Sequence, residues 1–250
     1  MSKDGRESRR AVGQSRLPDP VVIVFDGDDT LWTTEPLYDD ARSAARAVVA
    51  AAGLDGGQWE VLERAIDVAN VATLGYSPKR FPTSCLQAYE DLCAREERTP
   101  EAAVASQIRR AATTVFKREP VVVDNARGTL EFLRRRGIRL ALLTKGDLRV
   151  QTQRIEGSGL RPMFAAVRIV SEKSPAIIRS TVAALGAEPS EAWMVGNSIK
   201  SDVIPALQAG LTVVWIEAHV WEHERVPEHG LDDRVIALHA LADIRNLLNP

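Results

Sequence analysis

The sequence predicts an α/β fold: a doubly wound, Rossmann-like parallel sheet core with an all-helical cap inserted into it. Three observations lead there. Residues 21–25 (Val-Val-Ile-Val-Phe) form an unbroken, largely β-branched apolar run, the pattern of a strand buried on both faces. From residue 120 onward, short apolar runs alternate with stretches of helical period, which implies βαβ units with right-handed crossovers. The residues between these regions show helical spacing and no strand-like alternation.

Taken in order, residues 1–20 are rich in Arg, Asp, Ser and Gly without periodicity, and read as a flexible tail. The first strand follows over 21–25. Pro36 suits a first helical turn, and an Ala-rich helix is expected over 37–52, ended by Gly53. Further helices are expected over 58–74, 82–97 and 100–117, divided by turns containing Gly, Pro and Ser. Together they define a cap over 36–118, its Ala-rich faces packing helix on helix. Beyond it, helices are expected over 125–136, 147–158, 175–185 and 200–209, three of them stopped at or near Gly137, Gly186 and Gly210. Strands are expected over 138–143, 165–170, 192–195 and 211–216. Residues 21–35 and 119–250 thus form one core, which the cap interrupts after the first strand.

The chain's 250 residues suffice to bury a core without disulfide or metal staples. Thirty-two Lys and Arg face thirty-four Asp and Glu, a formal net charge of −2, which argues against a whole-chain nucleic-acid binder and against an acidic disordered protein. No apolar run approaches the ~20 residues of a membrane span. The N-terminal residues carry charges but no apolar stretch of the secretory kind. Cys85 and Cys93 fall in one expected helix, roughly 12 Å apart and too far to bridge. A reduced, cytoplasmic protein without nucleic-acid or membrane partners is expected; oligomeric state is not legible.

Open parallel sheets place ligands beyond the carboxyl ends of their strands. The first end carries Asp26-Gly27-Asp28-Asp29-Thr30, the second Thr144-Lys145-Gly146-Asp147. The third is followed by Ser171-Glu172-Lys173, the fourth by Gly196-Asn197-Ser198 and, four residues on, Asp202. This order of Asp-x-Asp-x-Thr, Thr, Lys and Gly-Asn-Ser-x-x-x-Asp resembles the haloacid dehalogenase superfamily in its phosphatase branch. The resemblance covers about 21–35 and 120–217, and the helical block sits where that family inserts a cap. It implies hydrolysis of a small phosphorylated metabolite, dependent on Mg²⁺, through an aspartyl-phosphate.

The residue types suit that chemistry. Phosphate monoester hydrolysis needs a nucleophile, a proton for the leaving oxygen and compensation of phosphoryl charge. Asp26 is the candidate nucleophile. Period-two geometry carries Asp28 to the same side, as the acid that protonates the leaving group and the base that then takes a proton from water. Asp29 is expected to point away and cap the loop, Gly27 to let backbone approach the metal and substrate, and Thr30 to brace the loop. Lys173 neutralises Asp26 and the transferring group. Thr144 offers a hydroxyl, and the Lys145 and Gly146 amides are candidate phosphate donors near a helix start. The Lys145 side chain is read either as solvated or as a substrate contact.

A dianionic phosphate beside two carboxylates calls for a hard cation, and Mg²⁺ suits oxygen ligands. The resemblance implies ligands from the Asp26 carboxylate, the Asp28 carbonyl and the fourth motif. There the sequence departs from the commonest form, with Asn197 in place of an Asp, so Asn197 or Asp202 is the remaining candidate. Relatives that cleave carbon–halogen bonds need no protonated leaving group and lack the second Asp. The presence of Asp28 therefore favours phosphoryl transfer. In the cap, the turn-rich stretch 75–82 offers Arg80 or Lys79 to an anionic substrate. Two rivals stand beside a phosphatase: a phosphomutase using the same residues, and a regulatory protein on an inactive core, suggested by Asn197.

Other signals are set aside. His219 and His223 have metal-ligand spacing but no third ligand nearby, and with Trp221 read as the rim of the site. Gly157-Ser158-Gly159 follows a helix instead of a strand and reads as a helix end. Arg134-Arg135-Arg136 closes a helix, where cations suit the dipole.

Overall fold

The computed structural model describes residues 18–218 and 234–249. The reading of the tail over 1–17, and those of His219, Trp221 and His223, lie outside the described residues.

Strand β1 (Val22–Phe25) is wholly shielded from solvent, as the unbroken apolar run demands. It pairs in parallel with β4 (Arg139–Lys145) on one side and β6 (Ala192–Gly196) on the other. Adding β5 (Ala166–Val170), β7 (Thr212–Ile216) and β8 (Val235–Leu238) gives a six-stranded parallel sheet in the order β5-β4-β1-β6-β7-β8. The chain runs outward from β1 through β4 and β5, then crosses to β6 on the far side. That reversal of direction opens a crevice above the carboxyl end of β1.

Both faces of the sheet are covered, because successive β1 side chains point to opposite sides. Ile23 and Phe25 pack with Leu130 and Leu133 of α6 (Ala126–Arg135) and Ile155 of α7 (Leu148–Gly157). Val22 and Val24 pack with Ile178 and Val182 of α8 (Pro175–Ala183) and Ala206 of α9 (Ile204–Ala209). Each large apolar side chain so buried contributes about 1.5–3 kcal/mol. The helices α1 (Glu35–Ala51), α2 (Gly56–Ala69), α3 (Val71–Leu74), α4 (Arg80–Arg95) and α5 (Ala102–Thr113) follow β1. They share a separate apolar core around Trp59, Phe81, Tyr89 and Ile108, each at most 2% exposed.

Four features depart from the sequence reading. The single helix expected over 58–74 breaks at Asn70, whose amide turns to Ser84 (3.1 Å) and Gln87 (2.7 Å) of α4. The helix expected from residue 200 opens instead as a wide turn over Ile199–Val203, with α9 starting only at Ile204. Pro205 has no amide to continue a regular α ladder backward, and the Val203 amide reaches Ser198. A short antiparallel ribbon, β2 (Trp32–Thr33) with β3 (Val121–Val122), ties the outgoing and returning chain together at the base of the helices. Strand β8 was not expected either; it pairs with β7. Among the described residues, no helix is long and apolar enough to cross a membrane.

Candidate active site

The β1 ladder runs on into the loop, where the Asp26 amide donates to Val195 at 2.8 Å. The loop then coils tightly, the Gly27 carbonyl accepting from the Thr30, Leu31 and Trp32 amides. A side chain at Gly27 would lie 2.5 Å from the Trp32 ring. Trp32 thus requires glycine at this position, a packing reason the sequence reading did not foresee. Asp29 adopts a left-handed φ of 58° and turns its carboxylate to the Thr34 amide (2.7 Å), the Thr34 hydroxyl (2.6 Å) and the Glu35 amide (3.2 Å). It anchors the first turn of α1, the loop-capping role its place in the motif implied. The Thr30 hydroxyl donates to Asn197 Oδ1 at 3.3 Å, bracing the first loop against the fourth.

At the centre lies an ion triad. Lys173, 4% exposed, donates to Asp26 Oδ1 and, at 2.6 Å, to Asp202 Oδ1. The second Asp202 oxygen accepts the Ser198 amide at 3.0 Å. Gly196 makes this possible: a side chain there would lie 2.4 Å from the Asp202 carboxylate. Burial pushes the Asp26 carboxyl up to about 7; Lys173 opposes the shift, while Asp202 and Asp28 add to it. Burial works against the Lys173 charge as well, yet Asp202 and Asp26 outweigh it and hold the ammonium above its ordinary range.

Asp28 lines the same cavity as Asp26, but its carboxylate is turned onto α7. Oδ1 accepts from Trp32 Nε1 (2.7 Å), and Oδ2 from Gln151 Nε2 (2.8 Å) and Arg154 Nη1 (2.6 Å). Gln151 also accepts the Thr144 hydroxyl at 3.1 Å. The sequence reading missed Gln151 and Arg154. A signal was present: both stand on the inward stripe of α7 with Ile155, where an apolar residue is the rule.

The remaining expected residues divide. Lys145 extends into the cavity, Nζ donating to Ser201 at 2.5 Å and lying 4.0 Å from the centre of the Tyr76 ring, so the solvated alternative does not hold. Gly146 is corrected: its amide donates to Val170 at 2.9 Å, and the sheet thereby takes the donor that a phosphate would need. Arg80 is buried, paired with Asp67 at 2.9 Å and laid over Tyr76, and it lines the cavity; Lys79 is exposed and does not. The cavity holds about 140 Å³ between the sheet and the inserted helices, room for a small molecule. Its helical side presents Glu35, Tyr38, Arg42, Asp67, Tyr76 and Arg80. Burial, together with Asp29, pushes the Glu35 carboxyl up to about 8.

Among the described residues, no three His, Cys, Asp or Glu side chains form a ready-made metal cluster. The floor nevertheless supplies the Asp26 and Asp202 carboxylates and the Asn197 amide oxygen, all at most 7% exposed, with one ammonium between the two acids. Such a set of hard oxygen donors beside a small cavity suits a cation that keeps several waters.

Known proteins resemble this chain over most of its length. A family model described as haloacid dehalogenase-like hydrolase matches residues 21–210. A phosphoserine phosphatase from Thermus thermophilus is 28% identical, covering 86% of this chain and 94% of its own length. A glyceraldehyde 3-phosphate phosphatase from Methanothermobacter thermautotrophicus is 26% identical over the same shares. A solved haloacid dehalogenase-like family hydrolase from Xanthomonas campestris superposes with a TM-score of 0.73 at 25% identity, covering 92% of this chain and 96% of its own. The two curated relatives are phosphatases, and the chain belongs to the haloacid dehalogenase-like hydrolases.

Proposed function

We propose that this chain is a phosphoric monoester hydrolase that releases phosphate from a small phosphorylated metabolite through an aspartyl-phosphate on Asp26, with Mg²⁺ as cofactor. The observation that carries the reading is the triad itself. A buried lysine holds one carboxylate at the crevice of the sheet against a second, and Asp28 stands two residues away on the wall of the same cavity. The metal would be held by Asp26, the Asp28 carbonyl and the fourth loop; bound there, it supplies positive charge against the phosphoryl oxygens. Asp202 orients Lys173 through one oxygen and accepts the Ser198 amide through the other, while the Asn197 side-chain oxygen accepts from Thr30, so the fourth loop offers the metal either residue.

In the first step an Asp26 oxygen bonds to phosphorus as the ester P–O bond breaks, and the leaving alkoxide takes a proton from Asp28. In the second, water bonds to phosphorus, Asp28 accepts its proton, and the P–O bond to Asp26 breaks. Lys173 and Thr144 stabilise the phosphoryl oxygens throughout. Lys145 and Arg80, which both lie against the Tyr76 ring, contact the non-reacting end of the substrate. A cavity of this size favours small esters.

Phosphate release from a panel of phosphorylated metabolites, with and without Mg²⁺, tests the reading. Asp26→Asn is expected to abolish turnover, and borohydride is expected to trap the acyl-phosphate in the parent chain only. Unimpaired phosphate release by Asp26→Asn would refute it. Slow turnover that accelerates with a bisphosphate would point to the phosphomutase alternative.

A further inference from the structure

Asp28 is held mainly by groups outside the motifs at the strand ends. Arg154 lies 94% buried in the middle of α7, an arginine where a core helix normally presents an apolar side chain. Desolvating a guanidinium there costs several kcal/mol unless a partner offsets it. Its partner is Asp28 Oδ2 at 2.6 Å, with the Tyr38 hydroxyl beside it; burial works against the charge, and Asp28 and Tyr38 outweigh it. One turn earlier, Gln151 donates to the same Asp28 oxygen, while Trp32 holds the other. A proton donor acts on a leaving oxygen only when its own oxygen is placed within hydrogen-bond reach. Asp28 sits on a loop, where it would otherwise sample several rotamers; the contact from Arg154 Nη1, with those of Gln151 and Trp32, removes that freedom.

We propose that Arg154 is a positioning residue for the acid–base step: it fixes the Asp28 carboxyl against α7 and receives its negative charge as the proton leaves. The inference rests on the proposed role of Asp28. In the step concerned, the O–H bond of Asp28 breaks, the new O–H bond forms on the departing alkoxide, and the electron pair stays on the Asp28 carboxylate, whose charge Arg154 balances.

The role has a chemical signature that a merely structural residue lacks. Phenyl phosphate and 4-nitrophenyl phosphate present the same ring, but nitrophenolate departs with little help from a proton, whereas phenolate needs it. The ratio of kcat/KM for the two esters, measured on one preparation, does not depend on how much of a variant has folded. Asp28→Asn is expected to lower the phenyl-to-nitrophenyl ratio by ten-fold or more, about the size of a lost Brønsted acid. Arg154→Met is expected to lower it about ten-fold, and Arg154→Lys, which keeps the charge on a shorter side chain, by a smaller factor. An altered Asp28→Asn ratio with unaltered ratios in both Arg154 variants overturns this inference alone. An unaltered Asp28→Asn ratio removes the acid role and overturns both.

Discussion

Replacing Lys173 by Met deletes the ammonium that separates Asp26 from Asp202 while keeping the side chain's bulk. The two acids are 6% and 1% exposed, so water cannot take over the lost charge. Leaving a buried ion pair without one partner typically costs about 3–5 kcal/mol. For a chain of this size each kcal/mol lowers Tm by about 2–4 °C, so a fall of about 6–20 °C is expected. The rate of phosphate release is expected to drop ~10²–10³-fold, as when another electrostatic stabiliser is removed. Magnitude alone does not prove the cause, and a double-mutant cycle with Asp202→Asn supplies the sharper test. In the parent chain Asp202→Asn breaks a contact to Lys173 and destabilises. In the Lys173→Met background it instead removes one of two repelling carboxylates and stabilises, with a coupling of about 0.5–3 kcal/mol. Denaturant melts of the four chains, without added metal, read both signs. If Asp202→Asn destabilises equally in both backgrounds, the triad is not the electrostatic unit described above.

Glu35 should leave a mark on the pH profile of stability. Its carboxyl rises from 4.5 to about 8 on folding, so the folded chain binds the proton more tightly and stability falls as pH rises between those values. The slope it adds is at most about 1.4 kcal/mol per pH unit, and thermal melts of Glu35→Gln across that window should lose it. Gly196→Ala forces a methyl onto the Asp202 carboxylate, at a cost of about 1–3 kcal/mol; the displaced acid should lower kcat by about 10²-fold, measured by phosphate release. Asp29→Ala removes the anchor of α1 and should cost about 0.5–2 kcal/mol in chemical denaturation. Asp29→Gly should cost less, because glycine tolerates the left-handed φ.

The sequence by itself determined the elements whose signal is local. An unbroken, largely β-branched apolar run fits a strand covered on both sides, and β1 is that strand. Acids, a threonine and a lysine stood at successive strand ends, and the parallel sheet brought Asp26, Lys173 and Asp202 together because every such end points the same way. Tertiary structure decided what depends on partners far apart in the chain. The Asp28 carboxylate meets Arg154 from 126 residues away, and no periodicity records that pairing. The Gly146 amide lost its expected role to Val170 once β5 lay alongside. The β2–β3 ribbon joins segments separated by all the cap helices, each too short to carry a pattern of its own. Side-chain periodicity follows from the pitch of a helix or the pleat of a strand and is written in neighbouring residues. Which donor finds which acceptor is settled only when packing has chosen the neighbours.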